Sequence, residues 1–152
     1  MIGAMPQGGA RILLVEDDTL NRALVRAVLA RCADPELQGV CLVEAGDLAQ
    51  ARVVLADTPV DVVLLDLGLP DGSGLELAAE LRNAHGGGPP AVVAVTGESA
   101  PAQANEAMAA GCRAVLAKPY TPADLCGVLV SLLRGDRAVH RIAAPAPEET
   151  AP

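Results

Sequence analysis

Five side chains that could carry out chemistry each follow a short apolar run: the carboxylates of Glu16, Asp17 and Asp66, the hydroxyl of Thr96 and the ammonium of Lys118. Carboxylates gathered in one place repel, so either a pKa rises or a cation binds. Hard oxygen ligands suit Mg²⁺ (or Mn²⁺), whose remaining waters leave room for a phosphoryl oxygen. An ammonium and a hydroxyl can contact the same phosphate. The set therefore meets the needs of phosphoryl transfer onto Asp66.

The segments that must position these residues alternate between two sequence patterns, one typical of strands and one typical of helices. Short β-branched apolar runs predict strands at residues 11–15, 40–43, 62–66, 91–95 and 113–117. Helical spacing follows each run, and the helices are predicted to begin near residues 19, 47, 74, 101 and 121. This alternation predicts an α/β fold, a doubly wound five-stranded parallel sheet in the order 2-1-3-4-5 with five helices.

The predicted sheet brings the reactive residues together. In a parallel sheet the carboxyl ends of all strands share one edge, and a crevice forms where connections leave toward opposite faces. In the predicted order this point lies between the first and third strands. We therefore expect Glu16, Asp17 and Asp66 to converge there, with Thr96 and Lys118 on the next two strands.

Several other patterns indicate structural roles. Three aspartates are interpreted as helix caps or loop residues: Asp18, Asp47 and Asp71. The apolar face of the first helix is predicted to consist of Leu20, Leu24, Ala27 and Val28. The cysteines show no C-x-x-C pattern and are interpreted as small core hydrophobes: Cys32, Cys41, Cys112 and Cys126.

Length and composition limit the function classes. The 152 residues suit one domain at 11–134, with a flexible N-terminus at 1–10 and a disordered Ala- and Pro-rich tail at 135–152. A net charge of -8 without a basic cluster argues against direct binding of nucleic acid or of an anionic membrane. No apolar segment is long enough to span a bilayer, and no signal peptide is visible, which predicts a cytoplasmic location.

Four short motifs occur in sequence: Leu14-Val15-Glu16-Asp17-Asp18, Leu64-Leu65-Asp66-Leu67-Gly68-Leu69-Pro70 with Gly74, Ala94-Val95-Thr96-Gly97, and Ala117-Lys118-Pro119. In this order and spacing they resemble the receiver domain of bacterial two-component response regulators. The match covers about Arg11 to Arg134. The resemblance implies the flavodoxin-like, CheY-like form of the predicted fold, and a phosphoacceptor switch that catalyses its own phosphorylation and dephosphorylation rather than an enzyme.

The resemblance also implies a role for each residue of the site. Asp66 is the phosphoacceptor, and the donor is a phosphohistidine on a histidine kinase or histidine phosphotransfer protein. Asp17 and Asp66 ligate Mg²⁺, Glu16 acts through water, and the backbone carbonyl of Gly68 is a further ligand. Lys118 bonds Asp66 at rest and the phosphoryl group afterwards, and Thr96 moves toward that group. Output then passes to a downstream protein, and the fourth and fifth helices offer a route to a homodimer.

The sequence departs from the family pattern near the site. Relatives usually place an aromatic residue three positions before the Lys, where this chain has Val115. The switch is then muted, or Tyr120, the only aromatic residue, contributes instead. Gly68 and Gly97 lack side chains beside the site, and we hypothesise that this opens the phosphoryl group to water or to a partner's histidine.

One alternative stays open, whereas the other functions fit the sequence less well. A receiver domain excised from a hybrid histidine kinase would carry the same motifs. A phosphatase that forms an aspartyl phosphate usually has a second Asp two residues after the nucleophile, where this chain has Gly68. A flavin-binding protein of similar topology would need a phosphate loop after the first strand and aromatic residues for the ring. Nucleotide hydrolysis lacks its Gly-x-x-x-x-Gly-Lys pattern.

Overall fold

Five parallel strands form the body of one sheet, as the sequence predicts. The computed structural model describes residues 9–85, 88, 90–97, 101–135 and 140–142. The strands are β1 (Arg11–Val15), β2 (Cys41–Ala45), β3 (Val62–Asp66), β4 (Ala91–Thr96) and β5 (Ala114–Ala117). Their spatial order is 2-1-3-4-5, with every neighbouring pair parallel. The predicted topology is therefore confirmed, and the carboxyl ends of β1 and β3 lie side by side.

The helices connect these strands, and α1, α2 and α5 each follow a capping residue. They are α1 (Thr19–Arg31), α2 (Leu48–Asp57), α3 (Gly74–His85), α4 (Pro101–Ala109) and α5 (Pro122–Leu133). Asp18 caps α1 and Asp47 caps α2, because each side chain accepts hydrogen bonds from first-turn amides. Thr121 and Asp124 form a reciprocal capping box at α5.

The sheet separates two apolar cores. Alternate residues of β1 point to opposite faces, so that Leu13 and Val15 join one core while Ile12 and Leu14 join the other. The first core includes buried residues of α2, α3 and α4, and the second includes those of α1 and α5. Both faces of the sheet are therefore covered, which explains why its strands read as continuous apolar runs.

The predicted inward face of α1 is confirmed for Val28, which packs against the core, and is wrong for Leu20, Leu24 and Ala27. Val25 and Leu29 are buried, whereas Leu20 is 66% and Leu24 55% exposed. The helix is rotated relative to the prediction because the apolar residues of α1 are spaced widely enough to define two faces. The sheet selects one of these faces, and Leu20 and Leu24 stay at the surface near the end of β1.

The interpretation of all four cysteines as core hydrophobes also needs correction. Cys32 at the end of α1 and Cys126 in α5 form a disulfide. Cys41 is exposed, and Cys112 is buried as expected. Burial raises the pKa of the Cys112 thiol to about 12. This disulfide could not be predicted from the sequence, because the two residues are 94 positions apart and meet only when α1 and α5 pack together.

The predicted disordered tail contains a short strand. Residues His140–Ile142 form β6, which pairs in parallel with β5 and extends the sheet to six strands. Disorder is therefore the wrong prediction for these three residues, because the free edge of β5 offers them backbone hydrogen bonds. The other predicted tail residues from 136 onward, and residues 1–8 of the predicted flexible N-terminus, lie outside the described residues.

Among the described residues, the helices are too short or too polar to cross a membrane.

Candidate functional site

The end of β1 supplies two carboxylates in a fixed loop. Glu16 is 5% exposed, while the neighbouring Asp17 lies at the surface. The Glu16 N–H donates to the Ala45 carbonyl at 2.9 Å, and the Glu16 carbonyl accepts from Nη1 of Arg22 at 2.7 Å. One side-chain oxygen of Glu16 accepts from the Asp18 N–H at 3.1 Å. These bonds direct the Glu16 carboxylate along the sheet edge toward β3.

Asp66 ends β3 and is half-buried, with a hairpin directly after it. Its Oδ1 accepts from the Gly68 N–H at 2.9 Å. Gly68–Leu69 pairs antiparallel with Gly72–Ser73, so the loop folds back before α3 begins. At Gly74 a Cβ would lie 2.9 Å from the Asp66 carbonyl oxygen, a contact closer than side chains tolerate. The motif glycine is therefore required by close packing behind Asp66.

β4 and β5 add the hydroxyl and the ammonium. Thr96 is 3% exposed and pairs in register with Ala117. The Lys118 N–H donates to the Thr96 carbonyl at 2.8 Å, which ties the two strand ends together. Nζ of Lys118 lies 3.6 Å from Oε1 of Glu16 and 3.6 Å from Oδ2 of Asp66. One ammonium thus faces carboxylates from two strands.

The predicted convergence is observed. Glu16, Asp17 and Asp66 each offer one oxygen, and these oxygens lie within 4.8 Å of one another. The pKa of Glu16 is raised, first by burial and then by the negative charge of Asp66, against the opposing effects of the Asp18 N–H and Lys118. Three carboxylates face a single nearby ammonium. A hard divalent cation fits this donor set, because it would balance the surplus negative charge with oxygen ligands.

The two residues near the expected aromatic switch occupy different cores. Val115 is 2% exposed in the core beneath α2 to α4, whereas Tyr120 packs against the core beneath α1 and α5. The pKa of Tyr120 is raised, first by burial and then by the charges of Glu16 and Asp66. Tyr120 is therefore a neighbour of the acidic site, but it does not fill the space that an aromatic side chain at position 115 would occupy.

The comparison with known families decides the identity of this domain. Residues 12–130 match the family model described as the response regulator receiver domain, which is more than half of the chain. The chain belongs to the response regulator receiver family. The receiver domain accounts for the sheet order and for the four motifs at its carboxyl edge.

Individual relatives agree with this assignment. The two-component response regulator ORR41 of Oryza sativa is 33% identical over 124 residues, covering 82% of this chain and 94% of the relative. The transcriptional regulatory protein AruR of Pseudomonas aeruginosa is 31% identical over 141 residues, covering 90% of this chain but only 54% of AruR. The chain therefore spans about half the length of AruR.

A solved structure shares both fold and sequence with this receiver domain. The LuxR-family two-component response regulator from Aurantimonas sp. SI85-9A1 superposes with a TM-score of 0.72 at 30% identity. The superposition covers 90% of each chain.

Sequence reasoning missed two sets of contacts around the site. Arg22 and Arg26 of α1 both reach Glu44 on β2, and Arg22 also holds the Glu16 carbonyl. Asp71 contacts the start of α2 rather than a helix in its own part of the chain. The arginines lie four positions apart, which places both on one helix face and is a signal that sequence could have offered. Asp71 carries no such signal, because its partners lie 22 and 23 residues away.

Proposed function

We propose that this receiver domain accepts a phosphoryl group on Asp66 from a phosphohistidine of a histidine kinase or a histidine phosphotransfer protein. The observation that carries the proposal is the position of Lys118, whose Nζ lies 3.6 Å from carboxylate oxygens of both Glu16 and Asp66. In the transfer a carboxylate oxygen of Asp66 forms a bond to phosphorus. The bond from phosphorus to the histidine nitrogen breaks, and that nitrogen keeps the electron pair.

The other residues of the site serve this step. Mg²⁺ (or Mn²⁺), when bound, supplies positive charge to the phosphoryl oxygens; Asp17 and Asp66 would hold it directly, Glu16 through water and Gly68 through its carbonyl. Lys118 shifts its ion pair from Asp66 to the phosphoryl group. Thr96 donates its hydroxyl to that group. Because Thr96 and Lys118 end adjacent strands, their response passes to β4 and β5.

The domain acts as a switch rather than an enzyme with an external substrate, and it promotes only its own phosphorylation and dephosphorylation. Its output is a changed surface for a downstream protein, and we propose neither nucleic acid nor membrane as a direct partner. Pairing through α4 and α5 is the proposed route to a homodimer. We assign the domain to the cytoplasm, where reducing conditions would convert the Cys32–Cys126 disulfide of this structure to two thiols.

Labelling with a small phosphodonor tests the proposal. We expect incubation with Mg²⁺ and acetyl phosphate to add one phosphoryl group, seen by intact mass, and expect Asp66→Ala to remove it. Asp61→Ala is the matched control, since Asp61 precedes the same strand at its other end. Labelling of the Asp66→Ala variant, or no labelling of the unaltered chain, would contradict the proposal.

A groove beside the site supports the proposal that the phosphoryl donor is a protein. It has a volume of about 410 Å³, and its lining includes Glu16 and Lys118 together with the apolar side chains of Leu24, Val28 and Tyr120. Leu20, one helical turn before Leu24 on α1, is also exposed. We expect Leu24→Asp to slow phosphotransfer from a histidine phosphotransfer protein but not from acetyl phosphate. Equal slowing with both donors would show that Leu24 acts on the site rather than on docking.

The glycines beside Asp66 set how long the phosphoryl group lasts. A Cβ at Gly68 would lie 3.8 Å from Oδ1 of Asp66, and one at Gly97 would meet no atom of the described residues within 4 Å. This open space supports access of water or a partner's histidine to the phosphoryl group. We expect Gly68→Asn to lengthen the phosphate half-life, with Gly68→Ala as the control that adds only a methyl group. An unchanged half-life in Gly68→Asn would remove this part of the proposal.

A further inference from the structure

The loop after β3 is a hairpin that runs from the acidic site to α2. Gly68–Leu69 pairs with Gly72–Ser73, and Asp71 lies in the turn at the tip. At the base, the Gly68 N–H donates to Asp66 at 2.9 Å. Because cross-strand pairing joins base and tip, a contact that fixes the tip also restricts the base.

The tip is fixed by a two-oxygen contact with the start of α2. Oδ1 of Asp71 accepts from the Leu48 N–H at 3.0 Å, and Oδ2 accepts from the Ala49 N–H at 3.2 Å. First-turn amides have no partner within their own helix, and a negative charge is favourable beside them. The hydrogen bond from Leu48 has the largest effect in lowering the pKa of Asp71. The bond from Ala49 and the nearby charge of Arg52 act in the same direction. The contact is therefore made by an ionised carboxylate.

Apolar packing brings the same two segments together. Leu48 is 1% exposed and belongs to the same core as Leu67, with Leu69 packed against that core. Gly72 has a φ of +146°, and a Cβ there would lie 3.2 Å from Cδ1 of Leu48. The turn thus approaches α2 at a position where a side chain would be strained and crowded.

α2 has a cap of its own that is independent of this hairpin. Asp47 accepts from the Gln50 N–H at 2.8 Å, and it lies in the loop after β2. Asp71 therefore adds to a helix start that is already capped. Its distinctive feature is that it connects that helix to the loop after Asp66.

We propose that Asp71 is a positioning residue for the phosphoacceptor: by tying the hairpin tip to α2, it holds the Gly68 backbone and the Asp66 carboxylate in the arrangement that phosphorylation requires. This inference rests on the proposed function of Asp66. It also assigns α2, which contributes no residue to the acidic cluster, a part in shaping the site.

Asp71→Ala and Asp47→Ala form a matched pair that tests the inference. Each removes one carboxylate from the start of α2, and we expect similar decreases in the urea midpoint. Only Asp71→Ala should raise the Mg²⁺ concentration for half-maximal labelling by acetyl phosphate, by about tenfold, as is typical when a residue that orients a metal ligand is lost. The labelling rate at saturating Mg²⁺ should stay near that of the unaltered chain. Asp71→Asn keeps an oxygen that can accept from Leu48, and it should recover part of the loss.

A second measurement does not depend on phosphorylation. We expect exchange of the Gly68 amide with solvent, followed by NMR in metal-free buffer, to accelerate in Asp71→Ala but not in Asp47→Ala. If the unaltered chain is not labelled while this difference appears, the proposed function fails and the positioning contact stands. Equal behaviour of the two variants in both labelling and exchange would overturn the inference. Should Asp71→Ala fail to fold, Asp71→Asn against Asp47→Asn makes the same comparison.

Discussion

An aspartate lies at each end of β3, and the two have different surroundings. Asp61, just before the strand, accepts the Arg11 N–H on its Oδ2 at 2.8 Å. Its own N–H donates to the Arg11 carbonyl at 2.9 Å, and its carbonyl accepts from the Ala91 N–H at 3.0 Å. Asp66, five residues further on, instead faces other carboxylates and Lys118.

The difference shows how one residue type takes on two roles. At the amino end, the Arg11 N–H donates to a single carboxylate, and backbone hydrogen bonds tie Asp61 to the neighbouring strands. At the carboxyl end, strand order gathers several carboxylates near one ammonium, which leaves surplus negative charge that a cation would balance. We therefore expect changes remote from the acidic cluster and from the hairpin after Asp66 to alter stability alone, and changes within the cluster to alter binding and chemistry as well.

The largest expected effect concerns the Cys32–Cys126 disulfide, which lies outside the cluster. Reducing it should lower the free energy of unfolding by between about 2 and about 4.5 kcal/mol, because the bond closes a long loop in the unfolded chain. Mg²⁺ affinity should be unchanged. Urea unfolding and metal titration of oxidised and reduced protein check this. A fall in Mg²⁺ affinity on reduction would break the separation between the two regions.

Loss of a metal ligand should have the next largest effect. We expect Asp17→Asn to weaken Mg²⁺ binding by at least about tenfold, or about 1.4 kcal/mol, because one charged oxygen is replaced by a neutral one. Asp61→Asn makes the same charge change at the other end of the sheet and should leave the affinity unaltered. Isothermal titration calorimetry of both variants decides the matter, and unaltered binding in Asp17→Asn would contradict the assigned metal role.

The two ends of β3 should respond to mutation with opposite signs of stability in metal-free buffer. Asp61→Ala removes the acceptor of the Arg11 N–H and should lower the free energy of unfolding by about 1 kcal/mol. Asp66→Asn keeps the shape of the side chain but removes repulsion with Glu16 and Asp17, and it should raise stability by roughly 0.5 kcal/mol. Urea unfolding measures both. If Asp66→Asn instead lowered stability, the attraction between Asp66 and Lys118 would outweigh the repulsion of Asp66 with Glu16 and Asp17.

The smallest expected effect is a pH dependence that originates at Glu16. Burial, and then the charge of Asp66, raises its pKa in the folded chain above the ordinary value of 4.5. The neutral form is thus favoured on folding, so this contribution to stability is present below about pH 4.5 and is lost as the pH rises through the folded pKa. Glu16→Gln should lack this loss and be the more stable form at about pH 7 without metal. Urea unfolding of both proteins between about pH 4.5 and about pH 7 measures this effect. A stability difference between them that does not change with pH would contradict the raised pKa of Glu16.

Local patterns in the sequence predicted most of the fold. The apolar runs of β1 and β3 and the caps at Asp18 and Asp47 depend on residues close together in the chain, and each was found where expected. The convergence of Glu16, Asp17 and Asp66 also followed, because strand order and the common direction of parallel strands leave one place for these ends to meet.

Features that depend on distant packing could not be predicted. The rotation of α1 that buries Val25 and exposes Leu24 was decided by the sheet, because two faces of that helix are apolar enough to pack. Pairing of Cys32 with Cys126 required α1 and α5 to lie together. The strand at His140–Ile142 formed because β5 has a free edge, in a segment whose composition resembles disorder.

The sequence by itself determined which residues could do chemistry and the edge of the sheet on which they lie. Only the tertiary structure decided how the loop after Asp66 is held, through the contact of Asp71 with Leu48 and Ala49. The physical reason is the separation along the chain between the residues that determine each feature. Hydrogen-bonding capacity and periodicity are properties of neighbouring residues, whereas the choice of a partner 23 positions away depends on how two finished elements pack.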